Sequence, residues 1–110
     1  MEICVRETGG VSVLDFTGNL DTNTSQEAQA KTNELLDQKT LKLLVNCEKL
    51  EYISSAGLRV LLATAKSIQT KAGELRICCL NEVAQEIFEI TGFIDILNVF
   101  ETEEQALTDF

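Results

Sequence analysis

Apolar residues alternate with polar ones at Ile3, Val5, Val11 and Val13, on either side of Thr8-Gly9-Gly10. This is the two-residue period of β-strands interrupted by glycines suited to a tight turn, and it predicts an antiparallel hairpin with a second strand ending near Phe16. Thr17-Gly18-Asn19-Leu20-Asp21 reads as a loop. It leads into Thr24-Ser25-Gln26-Glu27, a capping-box pattern that starts a helix running to about Gln38, with Ala28, Leu35 and Leu36 on its apolar face. Leu41-Lys42-Leu43-Leu44-Val45 is a short apolar run of buried-strand type, extending to residue 46. Beyond a short connection the spacing changes to helical, with Leu58, Leu61, Leu62, Ala65 and Ile68 on one face of a helix over about 56–71 that Gly73 stops. Leu75–Cys79 reads as a strand. Asn81 caps a third helix with Val83, Ala84, Ile87 and Phe88 on one side and Gly92 at its end. Leu97–Phe100 is a short last strand, and Thr102-Glu103-Glu104-Gln105 opens a last helix as a second capping box.

The predicted order is thus β-β-α-β-α-β-α-β-α. Strand–helix–strand repetition through residues 41–100 requires parallel strands joined by right-handed crossovers, so the class is α/β with a mixed sheet and about four helices. Which helix lies on which face is left open by the pattern. At 110 residues, 45% of them hydrophobic, residues 1–110 suit one domain with a packed core. There is no proline, internal repeat or low-complexity segment to divide it.

Charge and cysteine content narrow the chemistry. Eighteen acidic against nine basic residues give a net charge of −9, which opposes binding to nucleic acid or anionic lipid and favours a protein partner or small ligand. No run reaches the roughly 18 apolar residues of a membrane span, and Met1-Glu2-Ile3-Cys4 lacks a basic, apolar signal segment, so a cytoplasmic protein is expected. Cys4, Cys47, Cys78 and Cys79 show no C-x-x-C spacing and the chain has no histidine, which argues for buried free thiols, no metal site and no cofactor. It also removes the commonest general base. A small thiol enzyme using Cys78 or Cys79 is the enzymatic alternative.

The most informative stretch is Glu51-Tyr52-Ile53-Ser54-Ser55-Ala56-Gly57-Leu58-Arg59. It places two hydroxyls at a helix N-terminus, where unpaired N–H groups and the helix dipole favour negative charge such as a phosphoserine. One serine there also serves simply as an N-cap. Asp21 follows a strand just as the serines do, and ligands of open α/β sheets bind beyond the carboxyl ends of strands, so the two loops are expected at the same end of the sheet. Asp21 has an equal claim to being a helix-start residue. Arg59, Lys66 and Lys71 form a basic outer stripe on an otherwise acidic chain, beginning beside the serines.

At these residues the chain resembles the anti-sigma factor antagonists, stand-alone bacterial members of the STAS domain family. Thr17-Gly18-Asn19-Leu20-Asp21 is similar to the family's T-G-x-L-D loop, Tyr52–Leu58 to its phosphorylation loop and Thr91-Gly92-Phe93 to the turn after its third helix; the likeness runs from about residue 2 to residue 107. It implies a STAS-like mixed sheet with about four helices, and a non-enzymatic partner-switching protein. Such a protein binds an anti-sigma factor that is a serine-protein kinase, frees a sigma factor, and is switched off by phosphorylation and restored by a phosphatase. Aligned at Gly57, Ser55 matches the phosphorylated serine, with Ser54 the alternative acceptor. The family often has an acidic residue where this chain has Ser54 and a second serine where it has Ala56. The implied partner surface comprises Asp21, Ser54, Ser55, Gly57, Arg59 and Lys66, with ATP belonging to the kinase. A STAS module of another signalling cascade or a stressosome-like assembly is the neighbouring alternative.

Overall fold

The computed structural model describes residues 1–110. Strands β1 (Glu2–Thr8) and β2 (Val11–Leu20) form the expected hairpin. Thr8 pairs with Val11, which leaves Gly9 and Gly10, at φ 55° and 82°, as the two central turn residues. Positive φ at both positions is what a tight hairpin of the right twist requires. The chain continues through α1 (Ser25–Asp37), β3 (Lys42–Asn46), β4 (Leu50–Ile53), α2 (Ser55–Thr70), β5 (Glu74–Cys78), α3 (Glu82–Thr91), a 3-10 turn at Phe93–Asp95, β6 (Asn98–Phe100) and α4 (Glu103–Leu107). The sheet order is β1-β2-β3-β5-β6, antiparallel in the hairpin and parallel elsewhere, as the crossover rule demands.

Two local expectations change. Residues 17–20 are strand, and the connection between β3 and α2 contains β4. β2 pairs with β3 along Ser12–Asp15 and then with β4 from Gly18, where the register shifts between Gly18 and Asn19 by the extra residue Glu51 on β4, Leu20 lying opposite Ile53. Gly18 takes φ 104° beside this shift and its N–H donates to the Lys49 carbonyl at 3.0 Å. Glycine supplies that backbone conformation at no Cβ cost. The second change is at the end of α2, where Ala72 (φ 62°) takes the left-handed position expected of Gly73. Gly73 is needed for contact instead: a Cβ there would lie 2.5 Å from the Leu41 carbonyl oxygen.

Strand side chains alternate between two faces. Leu14, Phe16, Leu43, Val45, Leu75 and Ile77 point to the larger core, where they meet Ala28, Leu35 and Leu36 of α1, Leu58, Leu61, Ala65 and Ile68 of α2, and Ala84 and Phe88 of α3. Val11, Val13, Leu44 and Cys78 point the other way, to a small cluster closed by Ala106 of α4. Three helices thus cover one face and α4 the other.

A five-residue helix cannot hold itself, so α4 depends on anchors. Arg6 on β1 forms ion pairs with Asp15 and with Glu103 in the first turn of α4, and Asn46 donates to Glu103 Oε1 at 3.0 Å. Arg76 lies with its guanidinium 4.3 Å from the Phe110 ring centroid and donates to the carbonyls of Ala106 and Thr108, both at 2.9 Å. Thr102 caps the helix, accepting from the Gln105 N–H at 3.1 Å, as its sequence pattern predicts.

The bond from Arg6, assisted by Asn46, holds the Glu103 carboxyl below its usual range. A depressed carboxylate stabilises the fold above its unfolded-state pKa, about 4.3, and loses that contribution as pH falls through the lower folded-state value. Glu103→Gln should therefore be less stable than wild type near neutral pH, with the difference shrinking below about pH 4. Urea midpoints measured from pH 3 to 7 check this, and a pH-independent difference would contradict it.

Candidate functional site

The pairing of Leu20 with Ile53 ends β2 and β4 at the same level, and the two loops expected to meet do meet there. The Ser54 N–H donates to the Leu20 carbonyl at 2.9 Å, bonding the start of α2 to the strand that carries Asp21. Ser54 is extended (φ −96°, ψ 176°) and half-buried, and its Oγ accepts from the Gly57 N–H at 3.4 Å, so Ser54 is the N-cap. Ser55 is the first residue of α2, exposed, and its hydroxyl makes no hydrogen bond within the chain. The two serines are thereby told apart: one hydroxyl is engaged by the helix and the other is presented to solvent.

Gly57 contributes no surface. It is buried, and a Cβ on it would lie 2.7 Å from both the Leu20 carbonyl oxygen and Cγ, and 2.9 Å from Ile53 Cγ1. Its bare α-carbon lets the first turn of α2 close onto the ends of β2 and β4, and that closure sets where Ser55 stands. Asn81 supports the same corner from α3. Its Oδ1 caps that helix, accepting from the Ala84 N–H at 2.8 Å, while its Nδ2 donates to the Leu50 carbonyl on β4 at 3.0 Å. The cap is legible in sequence as an asparagine before an apolar helical pattern, whereas the bond to β4 requires knowing that β4 exists.

Asp21 is half-buried and organised around its own turn. Its Oδ1 accepts from the Asn23 N–H at 2.9 Å, and its backbone N–H donates to Thr24 Oγ1 at 2.9 Å. Thr24 donates to the Asn19 carbonyl at 2.7 Å and makes no side-chain cap bond. The threonine expected to cap α1 is thus spent inside the Asp21 loop, a use of short polar side chains that competes with capping.

Along the outside of α2 the row Ser55, Arg59, Ala63, Lys66, Thr70 is exposed throughout. Arg59 and Lys66 take part in none of the chain's ion pairs, which use Arg6, Lys31 and Arg76. Lys71 does not continue this row: its Nζ donates to the Leu36 carbonyl at the end of α1, at 3.4 Å. A shallow groove runs beside the row, with Ser25, Gln26 and Gln29 of α1 on one side and Ala56, Arg59 and Val60 on the other. Tyr52, two residues before the serines and 44% exposed, is a surface aromatic that the residue pattern did not single out. In a four-residue strand its outward direction is not readable without the pairing.

The thiols do not form a reactive centre. Cys47 and Cys78 are buried, Cys79 is half-buried beyond the end of β5, and Cys4 is exposed on β1, contrary to the expectation of burial for all four. β1 is an edge strand and Cys4 lies opposite Asp15, on the sheet face away from the larger core. Burial pushes the Cys47 thiol up to about 12 and raises that of Cys78 further. A nucleophilic thiolate needs the opposite shift. No group of three His, Cys, Asp or Glu side chains is placed to hold a metal ion, and no helix is long and apolar enough to cross a membrane.

A mixed-sheet α/β domain with a serine-bearing helix start beside an aspartate loop defines the class, and comparison with known proteins places it. The chain matches the STAS domain family over residues 2–106 and belongs to it. BtrV of Bordetella bronchiseptica is 31% identical over 110 residues, spanning 100% of this chain and 95% of that one. The anti-sigma F factor antagonist of Paenibacillus polymyxa is 26% identical over 110 residues, spanning 99% and 94%. The Bacillus cell fate determinant SpoIIAA in its phosphorylated form has the same fold, with a TM-score of 0.73 over 96% of each chain at 20% identity.

Helix propensity alone favours Ala over Gly inside a helix by about 1 kcal/mol, whereas overpacking costs about 1–3 kcal/mol. At Gly57 the obstruction is backbone as well as side chain, so overpacking should win. Gly57→Ala is expected to lower the urea midpoint, and a raised midpoint would show that the contact with Leu20 relaxes freely.

Proposed function

We propose that this chain is an anti-sigma factor antagonist of the cytoplasm that works by partner switching. In its unmodified form it binds an anti-sigma factor that is also a serine-protein kinase, so releasing a sigma factor. The kinase partner phosphorylates Ser55 and binding ends; a phosphatase restores it. ATP is held by the kinase, and this chain is its substrate rather than a catalyst. The observation that carries the proposal is the free, exposed hydroxyl of Ser55 at the start of α2 beside a neighbour already committed as the cap. The relatedness to an anti-sigma F factor antagonist supports it, as does a likeness of fold to a protein known in a phosphorylated form. The docking surface comprises the Asp21 loop, Ser54, Ser55, Arg59 and Lys66, with Gly57 acting beneath it.

Phosphate at Ser55 adds about −1.5 to −2 charges at neutral pH, which a helix N-terminus accommodates, so the fold survives. Docking does not, because a strongly hydrated dianion must be desolvated against the partner, and burying charge without matched partners costs several kcal/mol. At ~1.4 kcal/mol per tenfold, half of such a cost lowers affinity by one to two orders of magnitude.

For Asp21, exchange to Asn keeps the turn acceptor and removes the charge. Asp21→Asn should leave the melting temperature near that of wild type while weakening kinase binding or slowing phosphorylation. Unchanged values of both would leave Asp21 with its turn alone. The central test is mass spectrometry after incubation with a kinase that binds this chain and ATP. Phosphate is expected on Ser55, with Ser55→Ala remaining bound and resisting inactivation. Phosphate on Ser54, or none, would reject the assignment.

A further inference from the structure

Arg59 is exposed, belongs to none of the chain's ion pairs and stands one helical turn beyond Ser55. Residues four apart on a helix are surface neighbours, and side chains tilt toward the helix N-terminus, so the guanidinium of Arg59 is carried back over the turn that begins at Ser55. The arrangement of an anion first and a cation four residues later is the favourable one. A guanidinium also matches phosphate oxygens with two parallel donors. The α1 residues across the groove, Ser25, Gln26 and Gln29, are uncharged. The carboxylate on the neighbouring strand end, Asp21, already accepts from the Asn23 N–H.

We propose that Arg59 is the intramolecular counter-ion of the phosphate on Ser55. The inference rests on Ser55 being the phosphorylated residue and adds how the modified state is arranged. Before modification, Arg59 is a free cation at the start of the docking row, on a chain whose net charge is −9. After modification it turns along its own helix to the phosphate. One event then adds a dianion and withdraws the nearest cation from the partner.

The test uses the full chain with phosphoserine installed genetically at position 55, titrated by phosphorus NMR. The second phosphate pKa, about 6 when unperturbed, should lie lower in the otherwise wild-type chain. Arg59→Gln should raise it by about 0.3–0.5 pH unit, a two- to threefold change in the acid constant. Lys66→Gln removes the same charge about 10 Å further along the helix and should shift it by less than a third as much. No shift in Arg59→Gln, or an equal shift in both variants, would overturn the pairing, the second result because it reports only the general field. Since the phosphate is placed without a kinase, these results stand apart from the kinase assay. A kinase that ignores Ser55 defeats the switching function, and an unresponsive titration defeats the counter-ion.

Discussion

The close approach of Gly57 to Leu20 and Ile53 is the contact on which the serine corner depends. β2 must outlast its pairing with β3 and accept β4 as a second parallel partner, with a register shift next to Gly18, before Leu20 and Ile53 can lie side by side. Only then is there a floor for α2, and only a residue without a Cβ lets the helix come down onto it. The Ser54 N–H bond to the Leu20 carbonyl fixes the direction in which the helix starts. Glycine is thus kept inside a helix, against its propensity, for packing. The placement of Ser55 is a consequence of backbone contacts two layers beneath it.

From that placement follows a division of labour within a pair of identical residues. A helix start has more N–H donors than partners, and a serine oxygen in extended geometry relieves one of them. Ser54 holds that geometry, so modifying it would remove a cap and disturb the helix. Ser55, already helical, has no structural duty for its hydroxyl. A switch residue must change state without altering the fold, and of the two only Ser55 meets that condition. Asp21 shows the mixed case: its carboxylate serves its own turn while its position brings it to the same strand end.

The hairpin, the parallel crossovers and the helices were legible because each rests on local spacing: glycines at a two-residue turn, apolar alternation in strands, and a three-to-four period in α2 and α3. β4 was not, because Leu50 and Ile53 are buried with Glu51 and Tyr52 exposed between them, a pattern that lacks the two-residue alternation of a strand. Its identity comes from pairing with the tail of β2, a non-local fact. The same gap hid the strand character of residues 17–20, the role of Asn81 as a tie to β4 and the exposure of Tyr52. Thr24, Gly73 and Lys71 illustrate a second limit. Residue type named a correct local capability in each, but a tertiary partner claimed it: the Asn19 carbonyl, the Leu41 backbone and the end of α1. For the serines the helix start was readable, whereas which hydroxyl caps depends on where the first turn begins.

The charge distribution connects the fold to the mode of binding. With a net charge of −9, the chain repels acidic partners at long range, and a cationic row is a place of local complementarity to a negative surface. The unpaired cations beside the serine corner are those of α2's outer row, whereas Arg6 and Arg76 are fastened to α4 and Lys31 pairs within α1. Fixing α4 with two arginines on the far face leaves Arg59 and Lys66 for the near one. Under the proposed function, a phosphate on Ser55 acts beside the first cation of that row. On a surface rich in lysine and arginine one dianion would change the local balance little; here it reverses the sign of the row's first turn. Under the proposed function, the acidity that weakens general attraction is also what gives a single modification its leverage.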